Sequence, residues 1–180
     1  MTRPRILIVG GGFAGVECAR RLERTLAPGE AEIALVAPFS YQLYLPLLPQ
    51  VASGVLTPQS VAVSLRRGLR RTRIIPGGAI GVDGAAKVCV IRKITDEIVD
   101  ETYDYIVLAP GSVTRTFDIP GLTEYGRGMK TLAEAAYVRD HVIAQLDLAD
   151  AATDEAERVS RLQFIVVGGG YAGTETAACL

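Results

Sequence analysis

Short, unbroken apolar runs punctuate the chain, and each closes on glycine or proline. Arg5–Val9 ends at Gly10, Ile33–Ala37 at Pro38, Tyr105–Ala109 at Pro110-Gly111, and Gln163–Val167 at Gly168. Runs of this length without polar alternation suit strands buried on both faces of a parallel sheet. Between the first two runs the period changes. Val16, Ala19, Leu22 and Leu26 recur at helical spacing while Glu17, Arg20, Arg21 and Arg24 fall on the other side, which predicts a helix over Phe13–Leu26. Pro28-Gly29 stops it. Strand, glycine turn, helix, strand makes a βαβ unit with a right-handed crossover.

Further along, the pattern predicts fewer long elements. Tyr41–Val51 is apolar and proline-rich, and reads as irregular. Thr57-Pro58 has the chemistry of a helix start, Thr as N-cap and Pro in the first turn, and predicts a helix ending near Arg71. Arg73–Ile75, Ala79–Val82, Lys87–Ile91 and Ile98–Tyr103 are alternating runs separated by glycine- and aspartate-containing joints, as in a small antiparallel meander. Ile119-Pro120-Gly121 is a turn. Leu132–Ala151 predicts a helix with a polar face, followed by an acidic segment, Asp154–Glu157. Gly168–Gly173 is a second glycine turn and Thr174–Leu180 the opening of a helix.

Composition narrows the class. Nineteen Lys and Arg face 20 Asp and Glu, for a net charge of -1, and a nucleic-acid-binding domain would carry a basic excess. A hydrophobic fraction of 49% argues for a packed core over disorder. The three cysteines, Cys18, Cys89 and Cys179, have neither metal-ligand nor CxxC spacing, so no metal site is expected, and they suit a reducing compartment. The basic start Met1-Thr2-Arg3-Pro4-Arg5 precedes only four apolar residues, whereas a signal peptide needs about 7–15. Ile33 to Leu65 holds no charge, but Pro38, Pro46, Pro49 and Pro58 interrupt it short of the roughly 20 apolar residues of a membrane span. It reads as buried or cofactor-facing chain.

Gly10-x-Gly12-x-x-Gly15 follows a strand and opens a helix, the context of a dinucleotide-binding turn. In such turns the first glycine permits the tight bend, the second lets backbone approach a pyrophosphate, and the third lets helix pack on strand. The helix N-terminus adds N–H groups and a positive dipole end. The motif recurs: Ile6-Leu7-Ile8-Val9-Gly10-Gly11-Gly12-Phe13-Ala14-Gly15 is echoed by Phe164-Ile165-Val166-Val167-Gly168-Gly169-Gly170-Tyr171-Ala172-Gly173. The copies lie too far apart for a solenoid repeat, so two nucleotide-binding units are expected, the second begun but incomplete. One usual element is missing. The end of the second strand carries Ala37 where an acidic ribose ligand is customary; Ser40 offers a weaker substitute and Glu32 lies at the wrong end of the strand. Glu175 follows the second turn and reads equally as a functional group or as a charge favouring the helix dipole.

These residues resemble the flavoproteins with two dinucleotide-binding domains, and among them the type II NADH dehydrogenases (NADH:quinone oxidoreductases). The resemblance rests on Gly10–Gly15, on Tyr41-Gln42-Leu43-Tyr44-Leu45-Pro46-Leu47-Leu48-Pro49-Gln50-Val51-Ala52-Ser53-Gly54, on Tyr103-Asp104-Tyr105-Ile106-Val107-Leu108-Ala109-Pro110-Gly111-Ser112, and on Gly168–Glu175. It covers essentially the whole chain, in order. It implies an α/β, three-layer, Rossmann-like FAD/NAD(P)-binding fold with a small antiparallel meander. It divides the chain into an FAD-binding part at 1–121, a helical connection at 122–161 and the start of an NAD(P)H-binding domain at 162–180.

The implied activity is an FAD-dependent oxidoreductase that passes a hydride from NADH to FAD and electrons on to a quinone-like acceptor. The implied cofactors are FAD and NAD(P)H, and the implied place is cytoplasmic, peripheral at the inner face of a membrane. By the same resemblance Gly10, Gly12, Phe13, Ala14 and Gly15 hold the FAD pyrophosphate, Pro46 and Leu47 line the flavin, and the backbone of Ala79 meets the adenine. Ala109 and Gly111 border the flavin's phosphate side, Gly168, Gly170 and Gly173 hold NAD(P)H, and Glu175 lies near the nicotinamide. The family's later flavin contact, quinone-site residues and membrane helices would lie beyond Leu180.

Two other functions stay open at this point: a nucleotide-binding fragment without turnover, and another reductase of the same fold. The paired cysteines of disulfide reductases and those of sulfide:quinone reductases are missing. His141 reads as solvated or at the core edge. The arginines Arg66, Arg67, Arg70, Arg71 and Arg73 read first as a solvated helix face, then as a site for phosphates or anionic headgroups.

Overall fold

The structure, a computed structural model, describes residues 3–180; Met1 and Thr2, at the start of the basic N-terminal stretch, lie outside the described residues. In chain order the elements are β1 (Arg5–Val9), α1 (Phe13–Thr25), β2 (Glu32–Ala37), β3 (Tyr41–Leu43), α2 (Leu48–Ala52), β4 (Ala62–Ser64), α3 (Leu65–Gly68), β5 (Arg73–Asp83), β6 (Val88–Lys93), β7 (Ile98–Thr102), β8 (Tyr105–Leu108), α4 (Leu122–Tyr125), α5 (Leu132–Ala151), α6 (Glu155–Arg161) and α7 (Tyr171–Cys179), with 3₁₀ turns at Leu45–Leu47 and Pro58–Val61. They form two compact units, Met1–Gln42 with Ala62–Ser112, and Leu43–Val61 with Val113–Leu180.

The first unit is a curled sheet in the order β7-β6-β5-β2-β1-β8. β1 runs parallel to both β2 and β8, and β2 runs parallel to β5. β5, β6 and β7 are antiparallel. The two-residue period of a strand sorts side chains to opposite faces, and here both faces are buried. Ile8, Ile33, Leu35 and Ala37 pack with Val16 and Ala19 of α1 and with Leu65 and Leu69. Leu7, Val9, Ala34 and Val36 pack instead with Ile75, Cys89, Ile91 and Tyr103 of the meander side. Helix, parallel sheet and meander are the three layers of the expected α/β architecture. Full burial of side chains such as Leu7, Ile8 and Leu35 contributes about 1.5–3 kcal/mol each.

Two stretches differ from what the sequence predicts. The helix expected from Thr57 to Arg71 is instead the 3₁₀ turn Pro58–Val61, the short strand β4 and the one-turn α3. Thr57 contributes a side-chain contact to Ser60 at 2.9 Å, and the chain stays close to β3, with which β4 forms a two-stranded ribbon. The runs Arg73–Ile75 and Ala79–Val82 are one strand, β5. Its first half pairs with β2 as far as Pro76, and its second half pairs with β6 from Gly77 onward. Pro76-Gly77-Gly78 is therefore a passage between partners, not a break. A Cβ at Gly77 would stand 2.5 Å from the Arg92 carbonyl oxygen, so glycine permits the close crossing.

In the second unit, α2 packs on α5 and on α7. Leu48, Val51, Ala52, Val61 and Ala135 form its buried core, flanked by Met129, Leu132 and Val138. α5 has the predicted bounds. A capping box opens it: Thr131 Oγ1 accepts from Glu134 N at 3.1 Å, and Glu134 Oε2 accepts from Thr131 N at 2.7 Å. The acidic segment after α5 proves to be a helix start, Asp154 Oδ2 capping α6 by accepting from Glu157 N at 2.9 Å. Residues 163–167, expected as a strand, form none: Ile165 is 89% exposed, and no described strand lies alongside to take their backbone hydrogen bonds. α7 begins at Tyr171, three residues before the predicted start.

Candidate functional site

In the first unit the glycine turn leaves β1 where β1's two neighbours, β2 and β8, lie on either side. This is the switch point at which open α/β sheets bind ligands beyond the carboxyl ends of their strands. Gly10 N donates to the Val36 carbonyl at 2.9 Å, and Ala109 N donates to the Val9 carbonyl at 2.8 Å. Gly10 has φ 117°, and a Cβ there would also fall 2.0 Å from the Ala109 carbonyl oxygen. Only glycine meets both conditions. At Gly15 a Cβ would collide with the Gly10 carbonyl oxygen, so α1 docks tightly over the turn. Gly12, by contrast, has nothing within 4 Å of its Cβ position. Gly12 is the N-cap of α1, no side chain caps this end, and no acidic residue occupies the first turn. An anion can approach the helix end here without displacing a protein group.

The other candidates of this unit fall at the same edge. Ala109 follows β8 and Gly111, φ 73°, turns the chain away. Ala79 lies on β5 beyond its pairing with β2, partly buried against the meander core, at an irregularity in register between Ala79 and Gly81. Ala37 is 1% exposed. It lies beneath the turn, since a Cβ on Gly11 would be 2.7 Å from the Ala37 Cβ. The missing acidic residue is thus replaced by a methyl group that fills core. The Ser40 carbonyl accepts from Leu65 N at 2.9 Å, and Glu32 pairs with Arg73 at 3.2 Å at the opposite end of β2.

In the second unit the second glycine turn repeats the first closely. Gly168 has φ 114°, and a Cβ on Gly173 would fall 2.0 Å from the Gly168 carbonyl oxygen. Thr174 N donates to Gly170 O at 2.9 Å, as Val16 N does to Gly12 O at 3.0 Å. Gly170 is the N-cap of α7, again without a side-chain cap or an acidic first turn. Glu175 is exposed and sits at the fifth helical position, past the first turn where the sequence placed it; Glu17 holds the equivalent position in α1. Pro46, exposed, and Leu47, half-buried, lie in the 3₁₀ turn that runs into α2. Because α2 packs on α7, this segment and the second glycine turn occupy neighbouring elements. Gln50 of α2, not singled out from sequence, has a buried side-chain oxygen with no hydrogen-bond partner among the described residues.

The remaining sequence candidates are scattered through both units. The arginine cluster does not form one helix face. Arg66 and Arg67 are exposed, the Arg71 guanidinium donates to the Glu23 and Leu26 carbonyls at the end of α1, and Arg73 bridges Glu32 and Glu101. His141 is exposed and stacks on Tyr137 at 5.8 Å between ring centroids. Cys18, Cys89 and Cys179 are free thiols. Burial first, and then the charge of Glu101, pushes the Cys89 thiol up, away from the reactive thiolate. No group of metal-ligating side chains and no helix long and apolar enough to cross a membrane occurs among the described residues.

Comparison with known proteins accords with this geometry. The family model for pyridine nucleotide-disulphide oxidoreductases matches residues 4–180. The chain is 34% identical over 178 residues to the type II NADH:quinone oxidoreductase NdhA of Mycobacterium tuberculosis, covering 97% of this chain and 37% of that protein. It is 28% identical to the mitochondrial external NADH-ubiquinone oxidoreductase 2 of Saccharomyces cerevisiae, over 99% of this chain and 33% of that one. A solved structure of NDH2 from Plasmodium falciparum in complex with RYL-552 superposes with a TM-score of 0.91 at 26% identity, covering 99% of this chain and 36% of that chain. The chain thus spans about a third of the length of these relatives, and it belongs to the pyridine nucleotide-disulphide oxidoreductase family.

Proposed function

We propose that the chain holds FAD in its first unit and NAD(P)H at its second glycine turn, as part of an NADH:quinone oxidoreductase. The observation that carries this is the repetition of one turn geometry at Gly10–Gly15 and Gly168–Gly173, each ending in an uncapped helix N-terminus. When bound, FAD supplies the redox chemistry, taking a hydride from NADH and giving electrons to a quinone-like acceptor. The protein's own contribution is positioning. Gly12, Phe13, Ala14 and Gly15 present backbone to a pyrophosphate, Gly10 brings that backbone between β2 and β8, and Ala109, Gly111 and Ala79 border the nucleotide. Pro46 and Leu47 line the ring, and Gly168, Gly170 and Gly173 hold the pyridine nucleotide. The working division is 1–121 for FAD, 122–161 as connection and 162–180 for the nicotinamide nucleotide. Glu175 is placed near the nicotinamide, and no proton transfer is assigned to it.

The acceptor is proposed as quinone-like because the relatives named above act on quinone or ubiquinone; peripheral association at the inner face of a membrane belongs to the same proposal. A second reading, nucleotide binding without turnover, is favoured by the unpaired segment 163–167. Titration with FAD followed by anaerobic addition of NADH separates the two. Bleaching of bound flavin supports the first, and bound flavin that NADH leaves oxidised supports the second.

A further inference from the structure

We propose that Phe39, backed by Tyr41, is a stacking platform for the adenine of the dinucleotide, replacing the ribose carboxylate missing at Ala37. This rests on the reading of the first unit as an FAD site, and every residue involved lies in that unit. The loop Pro38-Phe39-Ser40 leaves β2 and is tied to the first glycine turn at both ends. A Cβ on Gly11 would lie 2.7 Å from the Ala37 Cβ and 3.5 Å from Leu65 Cδ1, and the Ser40 carbonyl accepts from Leu65 N at 2.9 Å. Phe39, at the middle of the loop, is thereby held close to the turn. Its ring stacks on that of Tyr41, with 5.2 Å between centroids and 19° between planes, an offset-stacked separation. Tyr41 is half-buried and anchors the pair, while Phe39 is 51% exposed. β5 runs on past the Ala37–Pro76 pairing towards Ala79, so backbone flanks the space beyond the end of β2. In a dinucleotide-binding turn the acidic residue at the end of this strand holds the ribose. Here Ala37 is 1% exposed and offers no charge, and two residues on the chain supplies a ring. A π-face holds a base by its flat surface and needs no hydrogen-bonding edge, so it grips the same nucleoside by different chemistry.

The test titrates the intact chain, by flavin fluorescence, with FAD, its 2′-deoxyadenosine analogue and flavin cytosine dinucleotide, whose smaller base stacks less. Wild type is expected to bind FAD and the deoxy analogue alike, since no carboxylate reads the 2′-hydroxyl, and to bind the cytosine dinucleotide severalfold more weakly. Phe39→Leu keeps apolar bulk without the π-face. It is expected to bind FAD about tenfold more weakly, to lose most of the preference for adenine over cytosine, and to unfold in urea as wild type does, the side chain being half exposed. Phe39→Trp, with a broader ring, should hold FAD as tightly as wild type or more so. Equal FAD affinity in wild type and Phe39→Leu overturns the inference, as does a loss in Phe39→Trp as large as in the leucine variant. A wild-type preference for FAD over the deoxy analogue of about tenfold or more overturns the replacement of the ribose contact. The comparison of bases needs no variant, so the platform stays testable if Phe39→Leu does not fold: equal wild-type affinity for the adenine and cytosine dinucleotides overturns it. A wild-type chain that binds none of the three flavins overturns the proposed function itself.

Discussion

A Cβ placed on Gly15 would lie 1.9 Å from the carbonyl oxygen of Gly10. This approach sets α1 against the turn and leaves the first-turn backbone of α1 facing outward, where Gly12 meets open space. The two glycines differ in what they protect, so their alanine variants should separate. Gly15→Ala should destabilise the apo protein by about 1–3 kcal/mol, the cost of overpacking, and abolish FAD binding. Gly12→Ala should leave urea unfolding within about 0.5 kcal/mol of wild type while weakening FAD. Equal stability losses for both would show that Gly12 is also packed.

Ala37 lies under the same turn with its methyl group in the core. Ala37→Glu should restore the customary ribose ligand at a cost. The apo protein should lose about 1–3 kcal/mol for a carboxylate crowded against packed chain, and FAD should bind more tightly in fluorescence titration. Unchanged FAD affinity would mean that the ribose is held from elsewhere.

Glu23, near the end of α1, gathers the loop before β5. Its carboxylate accepts from the backbone N–H groups of Arg70, Arg71 and Thr72 and from the Thr72 hydroxyl, at 2.7–3.1 Å. Burial raises its pKa, but the hydrogen bonds from Thr72, Arg71 and Arg70 together outweigh burial, and the net shift is downward. A carboxyl whose folded pKa is depressed stabilises the fold above its unfolded pKa, and that contribution is lost as pH falls through the folded value. Glu23→Gln should therefore cost about 1–2 kcal/mol at neutral pH, and the difference from wild type in urea unfolding should shrink in acid. A difference independent of pH would contradict this role.

At the start of α5, Thr131→Ala removes the N-cap of the capping box. It should cost about 0.5–2 kcal/mol in thermal or urea unfolding, with Thr131→Ser recovering most of it. No loss in the alanine variant would mean that Glu134 alone holds this helix end.

The parallel strands, α1 and both glycine turns were legible because their residues serve local rule and tertiary position together. Ile8 and Leu35 are apolar where the sheet is buried on both faces, and Gly10 is glycine where φ is positive. The bounds of α5 were legible for the same reason, Thr131 being an N-cap and its following residues helix formers. Elsewhere tertiary pairing overrode local chemistry. Pro76-Gly77 reads as punctuation, yet β6 crosses so closely there that the strand needs glycine to continue. Thr57-Pro58 reads as a helix start, yet Ala62–Ser64 pairs with Tyr41–Leu43. Phe164–Val167 has strand composition, but a strand forms only beside another. The orphaned acceptor on Gln50 was not legible, since it exists only once neighbours are in place.

The visible absorbance spectrum of the purified chain, with FAD added if it emerges colourless, tests the account most directly. The account predicts a bound-flavin spectrum, shifted and structured relative to free FAD and retained through gel filtration. A protein that stays colourless after incubation with FAD would contradict it, and would mean that the two glycine turns record family membership without a working cofactor site in this chain.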